Sequence, residues 1–432
     1  MVFINTQNGS FNSNYIQLNE PLSFMQQQEL IPHLFRTEYS KVTAVLCKFF
    51  GTGNIEVAED IAGETFLSAL ETWPYKGVPE NPAAWLYTVA KNKAKNHIQR
   101  SSLFSKKITP LLKEDLNKTE NVEIDLSEKN IADSQLQMLF TLCHPAVSVE
   151  SQIALSLRIL CGFGIEEIAN AFLSNKEAIS KRLLRGKEKL RTEKIEIKIL
   201  TEAEIEERLD SVLRTLYLLF NEGYYSESKD SILREELCLE AMRLLYLLIE
   251  NESTNKPVVN ALLSLMCFHS SRFAARKNDN GEMILYADQD ESLWNTALIE
   301  KGIYFLRMAS QGNSVSKYHI EAGIAYWHTI KEDSNKKWES ILQLFNKLLQ
   351  IEYSPVAALN RTYAVAKVHG KKAAIEEAEK LKLNNNHFYF VLLGELYNGL
   401  DNVRAKQHFE TAITLAVTSV DKLMIQKKID QL

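Results

Sequence analysis

Helical periodicity that stops only where glycine or proline forces it to is the feature that most limits what this sequence can fold into. From about Phe24 onward apolar residues recur at three- and four-residue spacing, with breaks at GTGN (51–54) and WPYKGVPENP (73–82). Glycine leaves a helix through left-handed backbone, and proline removes a donor and crowds the preceding turn. Only 16 Gly and 9 Pro occur in 432 residues, too few for turn-dense β architecture, so an all-α fold is expected. A chain of this length outgrows a single hydrophobic core, and two to four domains are expected.

The pattern divides the chain. Residues 1–22, rich in Asn, Gln and Ser, read as a disordered tail. About four helices before Ser101 give a first small helical domain over 23–104. Residues 105–130 lose periodicity and turn acidic (Glu114, Asp115, Glu120, Glu123, Asp125, Glu128), which reads as a flexible linker. A second small helical domain is expected over 131–197. From 198 to 432 amphipathic helices follow one another with short connections, as in an αα-solenoid. A shift of 34 residues there aligns Leu359 with Leu393, Tyr363 with Tyr397, Ile375 with Phe409 and Ala378 with Ala412, a period that resembles the tetratricopeptide repeat. The stretch PVVNALLSLMCFHSSRFAAR reads as an irregular third unit.

Several function classes drop out. Cys47, Cys143, Cys161, Cys238 and Cys267 are odd in number, widely spaced and never in a CxxC pair, so they read as small buried hydrophobes in a reducing cytosol. No run of 18 apolar residues and no basic leader point to a membrane or to export, and a cytoplasmic location is expected. NDNGEMILYADQDE (278–291) gathers carboxylates without the alternating ligands of a calcium loop. It reads instead as a turn at Asn280-Gly281, with Asp288 or Asp290 capping the next helix. His144, His269, His319 and His387 lack metal spacing, and no phosphate-binding or hydrolase motif occurs. No enzyme activity, metal or cofactor is expected.

The formal net charge is −5, yet two stretches run strongly the other way. Trp85 to Lys107 holds six Lys/Arg and no acid, and Asn175 to Lys194 holds eight against three acids. The second lies in GIEEIANAFLSNKEAISKRLLRGKEKLR (164–191), where Ala169 and Ile179 fall where a helix-turn-helix needs a small residue and a branched plug, with Ile168, Phe172 and Leu183 inward. Ser174 or Asn175 would cap the second helix. Lys and Arg at this density also suit a solvated helix face supported by Glu177 and Lys181 at i,i+4, but the two-helix spacing and the other basic stretch favour DNA. In NPAAWLYTVAKNKAKNHIQR, Trp85 and Tyr87 offer flat surfaces for unpaired bases, and Lys91, Lys93 and Arg100 offer cations for phosphates. Leu86 and Val89 read as core.

VAEDIAGETFLSALETW followed by PENPAAWLYTVAKNKAKNHIQR resembles region 2 of the extracytoplasmic-function sigma factors, and the 164–191 stretch resembles their region 4. LQMLFTLCHPAV, LYLLFNEGYYSES, ADQDESLWNTALIEKG and SPVAALNRTYAVA are similar to the class with a tetratricopeptide-like extension. That resemblance implies that Asp60, Glu64, Thr65 and Phe66 meet the β′ clamp helices of core RNA polymerase, with the β flap as a second contact. It implies that Trp85, Tyr87, Lys91, Asn92, Lys93, Asn96, His97 and Arg100 recognise and open the −10 promoter element. It assigns the −35 element to Asn175, Lys176, Glu177, Ser180, Lys181, Arg182, Arg185 and Lys187. The acidic linker would thread toward the polymerase channel, and the extension would control the factor in cis or carry a peptide or protein regulator. Gly63, Asn96 and Ala178 depart from the residues common at those positions, so no promoter sequence carries over. Two other readings remain: an operator-binding regulator with a helical sensing domain, and an αα-solenoid scaffold.

Overall fold

A computed structural model describes residues 24–108, 124–172, 174–225, 231–276, 284, 286–417 and 419–432, and among these the fold is all-α, with no strand. The expected tail, most of the linker and the Asn280-Gly281 turn lie outside the described residues. The chain forms two compact units, one of residues 1–169 and 174–200 and the other of 170–173 and 201–432.

The first unit contains α1 (Phe24–Phe50), α2 (Ile55–Lys76), α3 (Pro82–Ile108), α4 (Glu128–Leu142), α5 (Val149–Leu155), α6 (Ile165–Ala171) as far as Ala169, and α7 (Lys176–Thr192). Helix α1 is its axis, packing on α2, α3 and α4. Tyr39, Val42, Val45, Leu46 and Cys47 on α1 are buried, and so are Leu86, Ala90 and Ala94, whose four-residue spacing lays one apolar stripe along α3. Val89 is only half-buried. Gly51 ends α1 at φ 78° with its N–H on the Cys47 carbonyl. Helix α2 runs through Pro74, beyond the break expected at 73, and stops at Gly77, φ 81°, bonded to Trp73. Helix α3 continues past the expected limit near Ser101 because no Gly or Pro precedes Pro110. The described end of the acidic segment is packed rather than free. Ile124 and Leu126 are buried, Asp125 accepts from Ser127, and Ser127 caps α4. Residues 156–160 continue α5 as a π-helical turn.

The second unit is a succession of helices, each packed on its chain neighbours: α8 (Glu202–Tyr225), α9 (Ser231–Glu250), α10 (Pro257–Ser270), α11 (Thr296–Ala309), α12 (Lys317–Trp327), α13 (Asn335–Ile351), α14 (Pro355–His369), α15 (Lys371–Leu381), α16 (His387–Tyr397), α17 (Asn402–Leu415) and α18 (Ser419–Asp430). This is a solenoid-like arrangement. Asn295, Ser334, Ser354, Asn386 and Asp401 each accept from a backbone N–H of the helix they precede, which is why helices restart so soon after each stop. The 34-residue correspondence appears in packing. Leu359 and Leu393, Ala378 and Ala412, Tyr397 and Phe409 share one core, although Tyr363 is 45% exposed. The expected third unit differs: after α10 the chain turns through 271–275, and α10 packs on α11 and α12 rather than on a helix within that stretch.

Small residues let these helices touch. A Cβ on Gly394 would meet the Phe409 ring at 2.6 Å, and one on Gly302 would meet Phe268 at 2.5 Å. Both rings are fully buried, so neither has room to yield. Gly63 on α2 is the opposite case, since a Cβ there meets nothing within 4 Å. Gly394→Ala and Gly302→Ala are expected to destabilise the chain by about 1–3 kcal/mol through overpacking. Gly63→Ala is expected to stabilise it by about 0.5–1 kcal/mol through helix propensity. Urea midpoints of the three variants check the change of sign.

Glu321 on α12 is partly buried and accepts from Tyr217 Oη at 3.4 Å. Burial raises its carboxyl from 4.5 to about 7, with the Lys317 ammonium opposing. The folded value lies above the unfolded one, so this contribution to stability is full below pH 4.5 and is lost as pH rises through 7. The stability difference between the chain and its Glu321→Gln variant is expected to change by roughly 1–3 kcal/mol across that window, since a tenfold change in proton affinity is worth about 1.4 kcal/mol. A parallel pH dependence of the two proteins would refute this.

Candidate nucleic-acid interface

Helices α6 and α7 follow one another across a short turn, in the order expected of a helix-turn-helix. Ile168, Ala169, Ile179 and Leu183 are buried, while Phe172 is half-buried. Asn175, rather than Ser174, caps α7: its Oδ1 accepts from Ala178 N at 2.8 Å. An unforeseen residue fixes where α7 crosses α5, because a Cβ on Gly186 would meet Leu155 at 2.6 Å. The outward stripe of α7 consists of Glu177, Ser180, Lys181, the 61%-exposed Leu184, Arg185 and Glu188. Lys176, also exposed, pairs with Glu166 at 3.0 Å, and Arg182 is half-buried with its carbonyl accepting from Ser151.

Lys187 does not belong to that stripe. Its ammonium is held by Glu59 of α2 at 2.5 Å and lies 3.9 Å from Glu56. Arg158, from the π-helical turn, reaches Glu59 at 2.9 Å, and Arg191 reaches Glu56 at 3.1 Å. Glu59 is 8% exposed, so it keeps two cations in place of water. Thr52 Oγ1 donates to the Ile195 carbonyl, Gln135 Nε2 to Ser40 Oγ, and Arg36 pairs with Glu167 while lying over Phe163. The helix-turn-helix and the α1–α3 bundle therefore form one packed body within the first unit. This corrects the expectation that Lys187 is a free DNA contact.

On α2, Thr65 and Phe66 face inward. Thr65 is fully buried and bonds back to Ile61, and Phe66 packs edge-on against Phe35 at 5.0 Å. Neither can meet a partner in this conformation, which corrects the expected set. The outward stripe is instead Asp60, Glu64, Leu67, Leu70 and Glu71, with both leucines 52% exposed. Their signal in the sequence was an apolar pair at helical spacing among acids.

On α3, Asn92, Lys95, Asn96 and Arg100 are exposed and share one side at i, i+3/4 and i+8, with Lys95 an unforeseen member, and His97 is exposed off that side at i+5. Lys91 is half-buried, and Lys93 pairs with Glu64 at 3.2 Å. Trp85 is half-buried, packed edge-on against Trp73 at 5.3 Å. Tyr87 donates to Glu38 at 2.5 Å, and His97 packs on Phe50. The two aromatics are thus partly engaged by the bundle, while the polar side is open.

All five cysteines are buried thiols outside any disulfide, and no metal-binding group of His, Cys, Asp or Glu and no helix long and apolar enough to cross a membrane occurs among the described residues. Asp290, one of the two expected caps, accepts from Ser292 N.

The bundle coincides with a known module: residues 34–103 match sigma-70 region 2, the module of sigma-70 family factors of transcription initiation, which supports a sigma factor role. The chain belongs to the same family as an uncharacterized protein of Rhizobium meliloti (strain 1021), 33% identical over 384 residues, 88% of this chain and 90% of that protein. Residues 208–310 match a family of unknown function (DUF6596). No solved structure matches.

Glu59→Gln would leave Arg158 and Lys187 without their carboxylate and is expected to cost roughly 2–4 kcal/mol, at the lower side of buried-pair losses because both cations are partly exposed. Glu59→Gln combined with Lys187→Met is expected to cost less than the sum of the single changes, which a double-mutant cycle measures. Additive effects would mean that the pair contributes nothing.

Proposed function

We propose that this protein is an extracytoplasmic-function sigma factor whose second unit regulates it in cis. The observation that carries the reading is the pairing, in one chain, of region 2 with a helix-turn-helix whose exposed stripe is cationic at Lys181 and Arg185. Region 2 supplies the polymerase contact through the Asp60, Glu64, Leu67 and Leu70 stripe of α2, where apolar area gives affinity and acids give register against the basic side of the β′ clamp helices. The open side of α3, with Asn92, Lys95, Asn96 and Arg100, contacts the −10 element. Its cations hold phosphates, and release of counterions favours the complex. Trp85 and Tyr87 receive unpaired bases once they turn from Trp73 and Glu38. Helix α7 enters the major groove at the −35 element with Ser180, Lys181 and Arg185 toward the bases and Lys176 toward phosphate. The β flap holds the helix-turn-helix. The site of action is the cytoplasm.

Core RNA polymerase with the purified chain should give specific run-off transcripts from its promoter, and the chain alone should not protect that promoter. Lys181→Ala with Arg185→Ala is expected to weaken promoter capture by the holoenzyme about tenfold or more, each lost base or phosphate contact being worth about 1–3 kcal/mol. Core binding should stay unchanged. Tight promoter binding without core would instead identify an operator-binding regulator, and failure to bind either would identify a scaffold.

A further inference from the structure

Among the described residues, buried polar atoms without a partner gather around Tyr286 in the second unit. Arg272 Nε, Trp294 Nε1, Gln289 Oε1 and His328 Nδ1 all lack one, and so does His269 Nδ1 nearby. Arg272 lies 5.5 Å over the Tyr286 ring, the Trp294 ring stacks at 6.3 Å and the His328 ring packs edge-on at 5.1 Å. Lys337, 1% exposed, donates to Tyr286 Oη at 3.0 Å and to the Ile330 carbonyl. The connection between α10 and α11, the end of α12 and the first turn of α13 thus bring two buried cations to one tyrosine.

Among the described residues, these cations have no carboxylate of their own. Arg272 is 8% exposed, and neither it nor Lys337 forms an ion pair among the described residues. The nearby Asp333 is taken by Lys367 at 2.8 Å and by the Trp338 indole. A buried guanidinium without a counter-charge is costly, and buried donors in folded proteins almost always find acceptors. The Arg272 and Trp294 nitrogens are donors without acceptors, Gln289 Oε1 is an acceptor without a donor, and the two cations against the Tyr286 ring, Arg272 and Lys337, are both positive. Tyr286 and His328, only partly buried, bring the cluster to the surface.

The geometry points to a binding site for a small oxyanion, phosphate or the carboxylate of a small acid, between Arg272, Trp294, His328 and Lys337. Arg272 and Trp294 donate to it, Lys337 neutralises it with its remaining hydrogen, and Tyr286 forms the wall. Four of these groups, Arg272, Tyr286, Gln289 and Trp294, fall in the 208–310 segment, so the module of unknown function acquires a ligand class. This holds whether or not the chain initiates transcription. Burial and the charges of Arg272 and Lys337 press the His328 imidazole down to about 3, and an anion between them lifts it.

The test titrates the full chain with sodium phosphate and, separately, sodium malonate at constant ionic strength set with chloride. A saturable rise in melting temperature and calorimetric heat with one of them, at least tenfold weaker in Arg272→Gln, is expected, and which salt acts tells phosphate from carboxylate. In the unsubstituted chain, the His328 ring resonances should move with the same midpoint, a readout that survives if the variant folds poorly. Overturning results are no saturable effect of either anion beyond chloride, an undiminished effect in Arg272→Gln, or binding that leaves His328 unmoved.

Discussion

Glu59 carries the first unit. A carboxylate withdrawn from water must keep its cations, and this one draws Arg158 and Lys187 from 99 and 128 residues away onto α2. Around that contact the rest of the packing falls into place: the hydrogen bond from Thr52 to Ile195, the seat of Arg36 on Phe163 and the buried crossing at Gly186. The same charges that make α7 cationic are therefore partitioned. Its far end is neutralised by Glu56 and Glu59, and its near end keeps Lys181 and Arg185 in water.

The second unit rests on a different constraint, steric instead of ionic. Gly394 against Phe409 and Gly302 against Phe268 set the distance within helix pairs, with the glycine on the first helix of one pair and on the second of the other. Close-packed interiors tolerate little error in such notches. Between these tight layers lies a region with unmatched donors around Tyr286, and the contrast between the two kinds of site within one unit is what singles the latter out.

Much of this was legible in the sequence, and the limits of legibility follow chain distance. The turn between α6 and α7 could be read because Ala169, Ile179 and Leu183 act within twenty residues, where period alone decides which side is buried. The 34-residue spacing of Leu359 and Leu393 was readable for the same reason. Family resemblance transferred identities at Thr65 and Phe66 but not their orientation, which Phe35 and the α2 register decide. Lys187 looked like its neighbours, and only a carboxylate far back in the chain sets it apart. Helix α2 runs past Pro74 although a proline there forgoes the bond to the Leu70 carbonyl, and it ends at Gly77, which can adopt the positive-φ backbone of the stop.

The ionic tie at Glu59 also has a thermal character. The hydration that charged groups give up on burial weakens as temperature rises, while apolar stabilisation levels off. The tie of Glu56 and Glu59 to their three cations therefore holds comparatively better in the heat than apolar contact does, while concentrated salt acts chiefly on the exposed Glu56–Arg191 pair and little on the buried Glu59.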